Sequence, residues 1–125
     1  MATLNPTPVR NLQELSRFEQ AMPFAQRIAA RSIIDLFAAS AQAYPDRTAL
    51  TMIMTGAADE VVRRVSYREL LQLIHRAANF FHAVGGPRAG VAYMLPSLVE
   101  THVTLWAAET AGFAVPINFL LQAEH

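Results

Sequence analysis

The chain has 125 residues, a formal net charge of zero and a hydrophobic share of 53%. Neutrality leaves no electrostatic footprint for nucleic acid or an anionic membrane surface, and the length suits one domain able to bury roughly two-thirds of the surface its unfolded chain exposes. The mean hydropathy is positive and the apolar share exceeds the usual ~45–50%, so some apolar surface is expected to be covered from outside, although alanine supplies much of the excess.

Cysteine is absent, which excludes disulfides, thiolate zinc sites and cysteine nucleophiles, and all ten basic residues are arginine. The opening Met1-Ala2-Thr3-Leu4-Asn5-Pro6 has no basic stretch leading into an apolar core. No later apolar run reaches the ~18 residues of a membrane span. A soluble cytoplasmic protein without a membrane span is the expectation.

Residues 1–31 mix Pro6, Pro8 and Pro23 with a helical-looking stretch at Leu12–Gln20 and carry no chemical motif; they read as an N-terminal extension. At Ser32 the signals sharpen, because Ser32 and Asp35 have the spacing of a capping box, in which a serine and an acid satisfy each other's free backbone donors. That helix should reach Ala43 and stop at Tyr44-Pro45-Asp46, since a residue before proline is pushed out of helical geometry. Thr48–Met54 and Val61–Val65 are rich in β-branched and apolar residues and flank the turn-like Thr55-Gly56-Ala57-Ala58-Asp59, which predicts a hairpin.

A second capping box, Ser66 with Glu69, opens an amphipathic helix whose stripe is Tyr67, Leu70, Leu71, Ile74, Ala77, Ala78, Phe81 and Val84. Arg68, Gln72, His75, Arg76 and Asn79 take the wet side. Gly85-Gly86 caps it and Pro87 prevents its resumption. Val91–Leu95 is a short continuous apolar run, expected to be a strand buried on both faces. Ser97 with Glu100 reads as a third capping box for a helix ending at Gly112, and Phe113–Ile117 reads as another buried strand. The helix after Ser97 is apolar on more than one side, with Val99, Val103 and Trp106 in one row and Leu98 and Leu105 elsewhere. Helices between short apolar strands are the connections a parallel sheet requires, so the fold expected is α/β: part of a doubly wound parallel sheet with flanking helices and an N-terminal β-hairpin.

Chemical constellations are sparse. The glycines Gly56, Gly85, Gly86, Gly90 and Gly112 all fall at turns and helix ends, none between a strand and a following helix where a phosphate loop sits. Ser97 occupies a strand-to-helix junction without the flanking glycines of a nucleophile elbow, and reads as a cap. His75 and His82 stand about two helical turns apart, too far to share a metal; His102 and Trp106 have a packing spacing. Glu100 and Glu109 are several turns apart on one helix, not a paired acid and base. Arg63-Arg64 reads as one solvated and one salt-bridged side chain, and no basic platform with aromatics offers a nucleic-acid site.

The ordered phrases along residues 32–125 nevertheless resemble the opening of the adenylate-forming superfamily, and within it bacterial fatty-acyl-CoA synthetase-like proteins. They are Ser32-Ile33-Ile34-Asp35-Leu36-Phe37, Tyr44-Pro45-Asp46-Arg47-Thr48-Ala49-Leu50, Val65-Ser66-Tyr67-Arg68-Glu69-Leu70, Ala77-Ala78-Asn79, Val91-Ala92-Tyr93-Met94-Leu95-Pro96-Ser97, and Ala111-Gly112-Phe113-Ala114-Val115-Pro116-Ile117-Asn118. Glu100-Thr101-His102, Leu105-Trp106 and the final stretch from Pro116 to His125 extend the likeness. One departure is Arg88-Ala89-Gly90, where the family usually has a Gly-Asp pair before the strand.

The resemblance implies that residues 32–125 form the first part of the N-terminal domain of an AMP-forming acyl-CoA synthetase. Such an enzyme joins a fatty or other carboxylic acid to CoA through an acyl-adenylate, using ATP and magnesium. Its phosphate loop ending in Pro-Lys-Gly, its adenine-binding motif and its lid-domain lysine are expected beyond residue 125, so this chain is expected to hold no catalytic residue and to be inactive alone. Asn118 and Phe119 are the candidate cofactor contacts, beside a CoA tunnel. The partners implied are the remainder of the enzyme and, through the apolar helix after Ser97, the open edge of the parallel sheet, or both, a second copy of the chain in a homo-oligomer. The alternative is a stand-alone binding or assembly module built on the same partial fold.

Overall fold

A computed structural model describes residues 9–28, 30–118 and 120. Residue contacts divide the chain into two compact units, Met1–Arg31 and Ser32–His125.

In the first unit, α1 (Leu12–Ala21) starts where Asn11 Oδ1 accepts from the Glu14 N–H at 2.9 Å, and a one-turn helix, α2 (Phe24–Arg27), follows. Arg27 ties the two together: its guanidinium donates to the carbonyls of Met22 and Phe18, each at 2.6 Å, and lies over the Phe18 ring. These contacts satisfy carbonyls that the end of α1 leaves without helical partners. No residue of α1 is buried.

The second unit holds the core. Helix α3 (Ile33–Ala43) begins with the expected capping box, Ser32 N–H donating to Asp35 Oδ2 at 3.0 Å and Asp35 N–H to Ser32 Oγ at 3.3 Å. The loop that ends it then receives the next helix. The carbonyls of Arg47 and Pro45 accept from the Tyr67 and Arg68 N–H groups at 3.0 and 3.1 Å, two donors that the first turn of α4 (Tyr67–Gly85) leaves open. The Ser66–Glu69 capping box completes that terminus.

Strands β1 (Thr48–Met52) and β2 (Arg63–Ser66) pair antiparallel, with a register irregularity between Thr48 and Leu50. Both are shorter than their apolar runs. Ile53 and Met54 leave the ladder and Val61 is 95% exposed, because Glu60 gathers the connecting loop onto itself: its carboxylate accepts from the N–H groups of Met54, Thr55 and Gly56. Gly56, at φ 73°, makes the turn that presents them.

Strand β3 (Gly90–Tyr93), helix α5 (Val99–Ala111) and strand β4 (Phe113–Pro116) form a β-α-β unit, with β3 and β4 parallel from Gly90 opposite Phe113 to Tyr93 opposite Pro116. The architecture is therefore mixed α/β, with the described strands in two separate two-stranded sheets. The core is the junction of α4 and α5: Leu70, Ile74 and Ala78 meet Val99 and Ala107, and Val65 closes the layer from β2. Ala107 and Ala108 are fully buried, small side chains where the helices come close. Helix α3 adds Phe37, whose ring lies 4.5 Å from that of Trp106. No helix among the described residues is long and apolar enough to cross a membrane.

Three local expectations are corrected. Neither β3 nor β4 is buried on both faces: Ala92 is exposed, and Phe113, Val115 and Ile117 are each roughly half exposed, since the described helices leave part of this sheet uncovered. Val84, placed on the core stripe of α4, is 73% exposed, because the last turn of that helix borders an open cleft along β3 rather than α5. Ser97 does not cap α5. Leu98 holds the cap position and its N–H donates to Thr101 Oγ1 at 3.3 Å, while the Thr101 hydroxyl donates to the Pro96 carbonyl.

Candidate functional site

In a parallel α/β unit, ligands bind beyond the carboxyl ends of the strands, where a helix N-terminus opens toward the same space. Here that end is formed by the segment after Tyr93, the first turn of α5, and the segment after Pro116. The ladder extends one bond past β4, the Ile117 N–H donating to the Tyr93 carbonyl at 2.9 Å, and this fixes where Asn118 emerges. Asn118 is exposed, and its Oδ1 accepts from the Leu120 N–H at 2.9 Å, a turn of the kind short amide side chains favour. The structure thus puts Asn118 at the carboxyl end of the parallel pair; Phe119 lies outside the described residues.

The start of α5 is well ordered by its own side chains. Thr101 bridges the Leu98 N–H and the Pro96 carbonyl, and His102 places Nδ1 2.8 Å from the Leu98 carbonyl, which requires the tautomer or cation carrying a proton on that nitrogen. The His102 ring also packs on Trp106 with centroids 5.5 Å apart. Thr101 and His102 thus fix the geometry of this end with bonds made inside it.

Beside it, Arg63 on β2 donates to Glu100 on α5 at 2.7 Å and holds that carboxyl below its ordinary range. Both side chains are more than half exposed, so the pair is worth little as an energy; it marks where the hairpin meets the start of α5. A depression of about 180 Å³ lies next to it, lined by Leu73, Val99, Val103 and Thr104. Sequence reading gave Arg63-Arg64 one salt-bridged member but could not name the partner, 37 positions away.

The remaining singled-out residues stay apart. His75, His82, Ser97 and Glu109 are exposed, and among the described residues there is no group of three or more His, Cys, Asp or Glu that could hold a metal. The most perturbed carboxyl is one that sequence reading passed over. Glu60 is lowered to about 2, first by the Met54 N–H and then by Thr55 and Gly56, donors that favour the charged form. Its legible signal was a Thr-Gly turn followed four residues later by an acid.

No family model matches the chain. A characterised relative does. The chain is similar to the marinolic acid–CoA ligase of Pseudoalteromonas sp. (strain SANK 73390), with 31% identity over 122 residues. The match takes in 97% of this chain and 18% of that ligase, so the chain spans less than a fifth of its relative's length.

Proposed function

We propose that this chain is the opening part of an AMP-forming acyl-CoA ligase and that its role there is scaffold rather than catalyst. The observation that carries the reading is 31% identity to a CoA ligase running through 97% of the chain, over both units and not one motif alone. The mixed α/β fold supports it. In this reading β3 and β4 are two strands of a larger doubly wound parallel sheet, and Asn118 and Phe119 begin the segment that borders CoA. The intact enzyme, a cytoplasmic consumer of ATP, would take a fatty or other carboxylic acid. In it a carboxylate oxygen would attack the α-phosphorus of ATP, releasing pyrophosphate, and the CoA thiol would then attack the acyl carbon, releasing AMP, with magnesium neutralising phosphate charge. This chain has no lysine for the triphosphate and would supply neither step's cations.

The test has two arms. The in-frame coding sequence after His125 is read for a glycine-rich loop ending in lysine, and the continuous product is assayed for acid- and CoA-dependent thioester formation. The 125-residue chain is assayed in parallel for acid-dependent exchange of pyrophosphate into ATP. Thioester formation by the continuous product and no exchange by the chain are expected. A frame that closes after His125, or exchange by the chain above a no-protein control, would overturn the proposal.

A further inference from the structure

The connection from α4 to β3 contains an uncommon backbone conformation. Arg88 has φ 61°, the one positive value at a non-glycine residue among those described. Side-chain-bearing residues avoid this region, and where they hold it the surrounding structure must impose it. Here the imposition is visible. The Phe113 N–H donates to the Ala89 carbonyl at 3.1 Å, pinning the loop to the start of β4. A side chain on Gly112 would collide with Ala89 and would stand 2.9 Å from the Arg88 carbonyl carbon, and one on Gly85 would stand 2.7 Å from the Ala89 Cβ. Two bare glycines, one at each helix end, thus let the loop be pressed between α4 and α5.

The guanidinium of the residue so held lies 5.9 Å from the centroid of the Phe113 ring. Arg88 also lines a cleft of about 360 Å³, within the range of small-ligand sites, together with Asn79 and His82 from α4 and Thr110 from α5. Thr110 donates its hydroxyl proton to the Trp106 carbonyl. The side chains of Asn79, His82 and Arg88 make no hydrogen bond or ion pair with any described residue. Among the described residues no acidic side chain lines the cleft, and the rest of its wall is Ala78, Pro87 and Ala111. The guanidinium of Arg88, whose one contact is the Phe113 ring, and the amide of Asn79 and imidazole of His82, none of them hydrogen-bonded to a described residue, share one concave surface and can donate to an oxyanion.

We propose that this cleft binds a phosphate group, with Arg88 as its principal ligand and Asn79 and His82 as supporting donors. The cleft opens at the N-terminal ends of β3 and β4, opposite the end that carries Asn118, and the proposal does not depend on the acyl-CoA ligase reading. The left-handed backbone at Arg88 sets the direction in which its side chain leaves the loop, and that side chain lines the cleft.

Isotope-labelled chain would be titrated with inorganic phosphate and, separately, with phenyl phosphate, following backbone amide and side-chain N–H signals. Saturable shifts at Asn79, His82, Arg88 and Ala89 are expected. Equal affinity for the two probes would identify a free-phosphate site, and tighter binding of phenyl phosphate a site for organic phosphate monoesters. Arg88→Gly is the decisive variant, because glycine accepts the observed backbone without strain: binding should weaken at least about tenfold while the thermal midpoint holds or rises, the reverse of what a merely structural arginine would give. His82→Ala, on an exposed helix surface, should weaken binding several-fold and serves if Arg88→Gly misfolds. Shifts that do not saturate, or binding unchanged in either folded variant, would overturn the proposal.

Discussion

Truncation of Ile74 probes the core where the structure is most explicit. Its side chain is 0% exposed and sits among Val65, Leu70, Ala78, Val99 and Ala107, at the centre of the layer that joins α4, α5 and β2. Ile74→Ala removes three carbons, worth about 2.4 kcal/mol at ~0.8 kcal/mol for each buried methylene-sized group. The cavity left between two packed helices adds to that loss, giving about 2–5 kcal/mol in total. Ile74→Val removes one carbon and should cost about 0.5–1.5 kcal/mol. His75, the next residue, is exposed, and His75→Ala should change stability by no more than about 0.5 kcal/mol. Urea unfolding followed by far-ultraviolet circular dichroism gives all three differences as shifts in midpoint, provided the slopes agree. Similar losses for Ile74→Ala and His75→Ala would refute the assignment of faces on α4, and a graded series at position 74 with a silent position 75 would sustain it.

The loop gathered by Glu60 should report its own titration. Because its carboxyl is lowered from 4.5 to about 2 in the folded chain, its contribution is present above about pH 4.5 and is lost as pH falls toward 2, so the Met54–Gly56 amides should lose protection across that window and Glu60→Gln should abolish the transition. Gly112 has φ −175°, which any residue adopts, so Gly112→Ala acts only through collision with the Ala89 backbone; a loss of about 1–3 kcal/mol is expected in thermal unfolding, and no loss would contradict the close approach. The chain by itself is expected to self-associate through the apolar cleft beside β3 and the uncovered side of the β3–β4 sheet, where Phe80, Val84 and Phe113 are each more than half exposed. Sedimentation equilibrium at micromolar concentration checks this, and a monomer that binds no hydrophobic dye would refute it.

What could be read from the sequence is what local chemistry decides. Ser32 with Asp35 and Ser66 with Glu69 are reciprocal bonds within four residues, so the starts of α3 and α4 were legible, and Gly86 at φ 77° ends α4 for a reason visible in its lack of a side chain. Ser97 failed by the same logic. Its spacing to Glu100 matches a capping box, but Thr101 one position later reaches both the Leu98 N–H and the Pro96 carbonyl, and a pattern of residue types cannot rank two competing hydroxyls. Asn118 was named as a contact from the resemblance alone, and the β3–β4 register adds only its position, just past the carboxyl end of the parallel pair. Arg63 with Glu100 and the carboxyl of Glu60 depend on how the hairpin folds back, which no local period encodes.

The uncovered parallel pair bears directly on the proposed function. A parallel sheet built by helical crossovers is normally covered on both faces, and its strands are written as continuous apolar runs for that reason. Val91–Leu95 and Phe113–Ile117 are such runs, yet Met94, Phe113, Val115 and Ile117 remain exposed among the described residues. Helix α5 has a similar character: it buries Val99, Ala107 and Ala108, and its other apolar side chains, Val103, Leu105 and Trp106, are only half-buried. Strand and helix both carry more apolar surface than the described contacts use. That surplus is what a chain similar to 18% of a CoA ligase would show if neighbouring elements of the larger protein complete its layers, and it supports the scaffold reading on packing grounds separate from sequence identity.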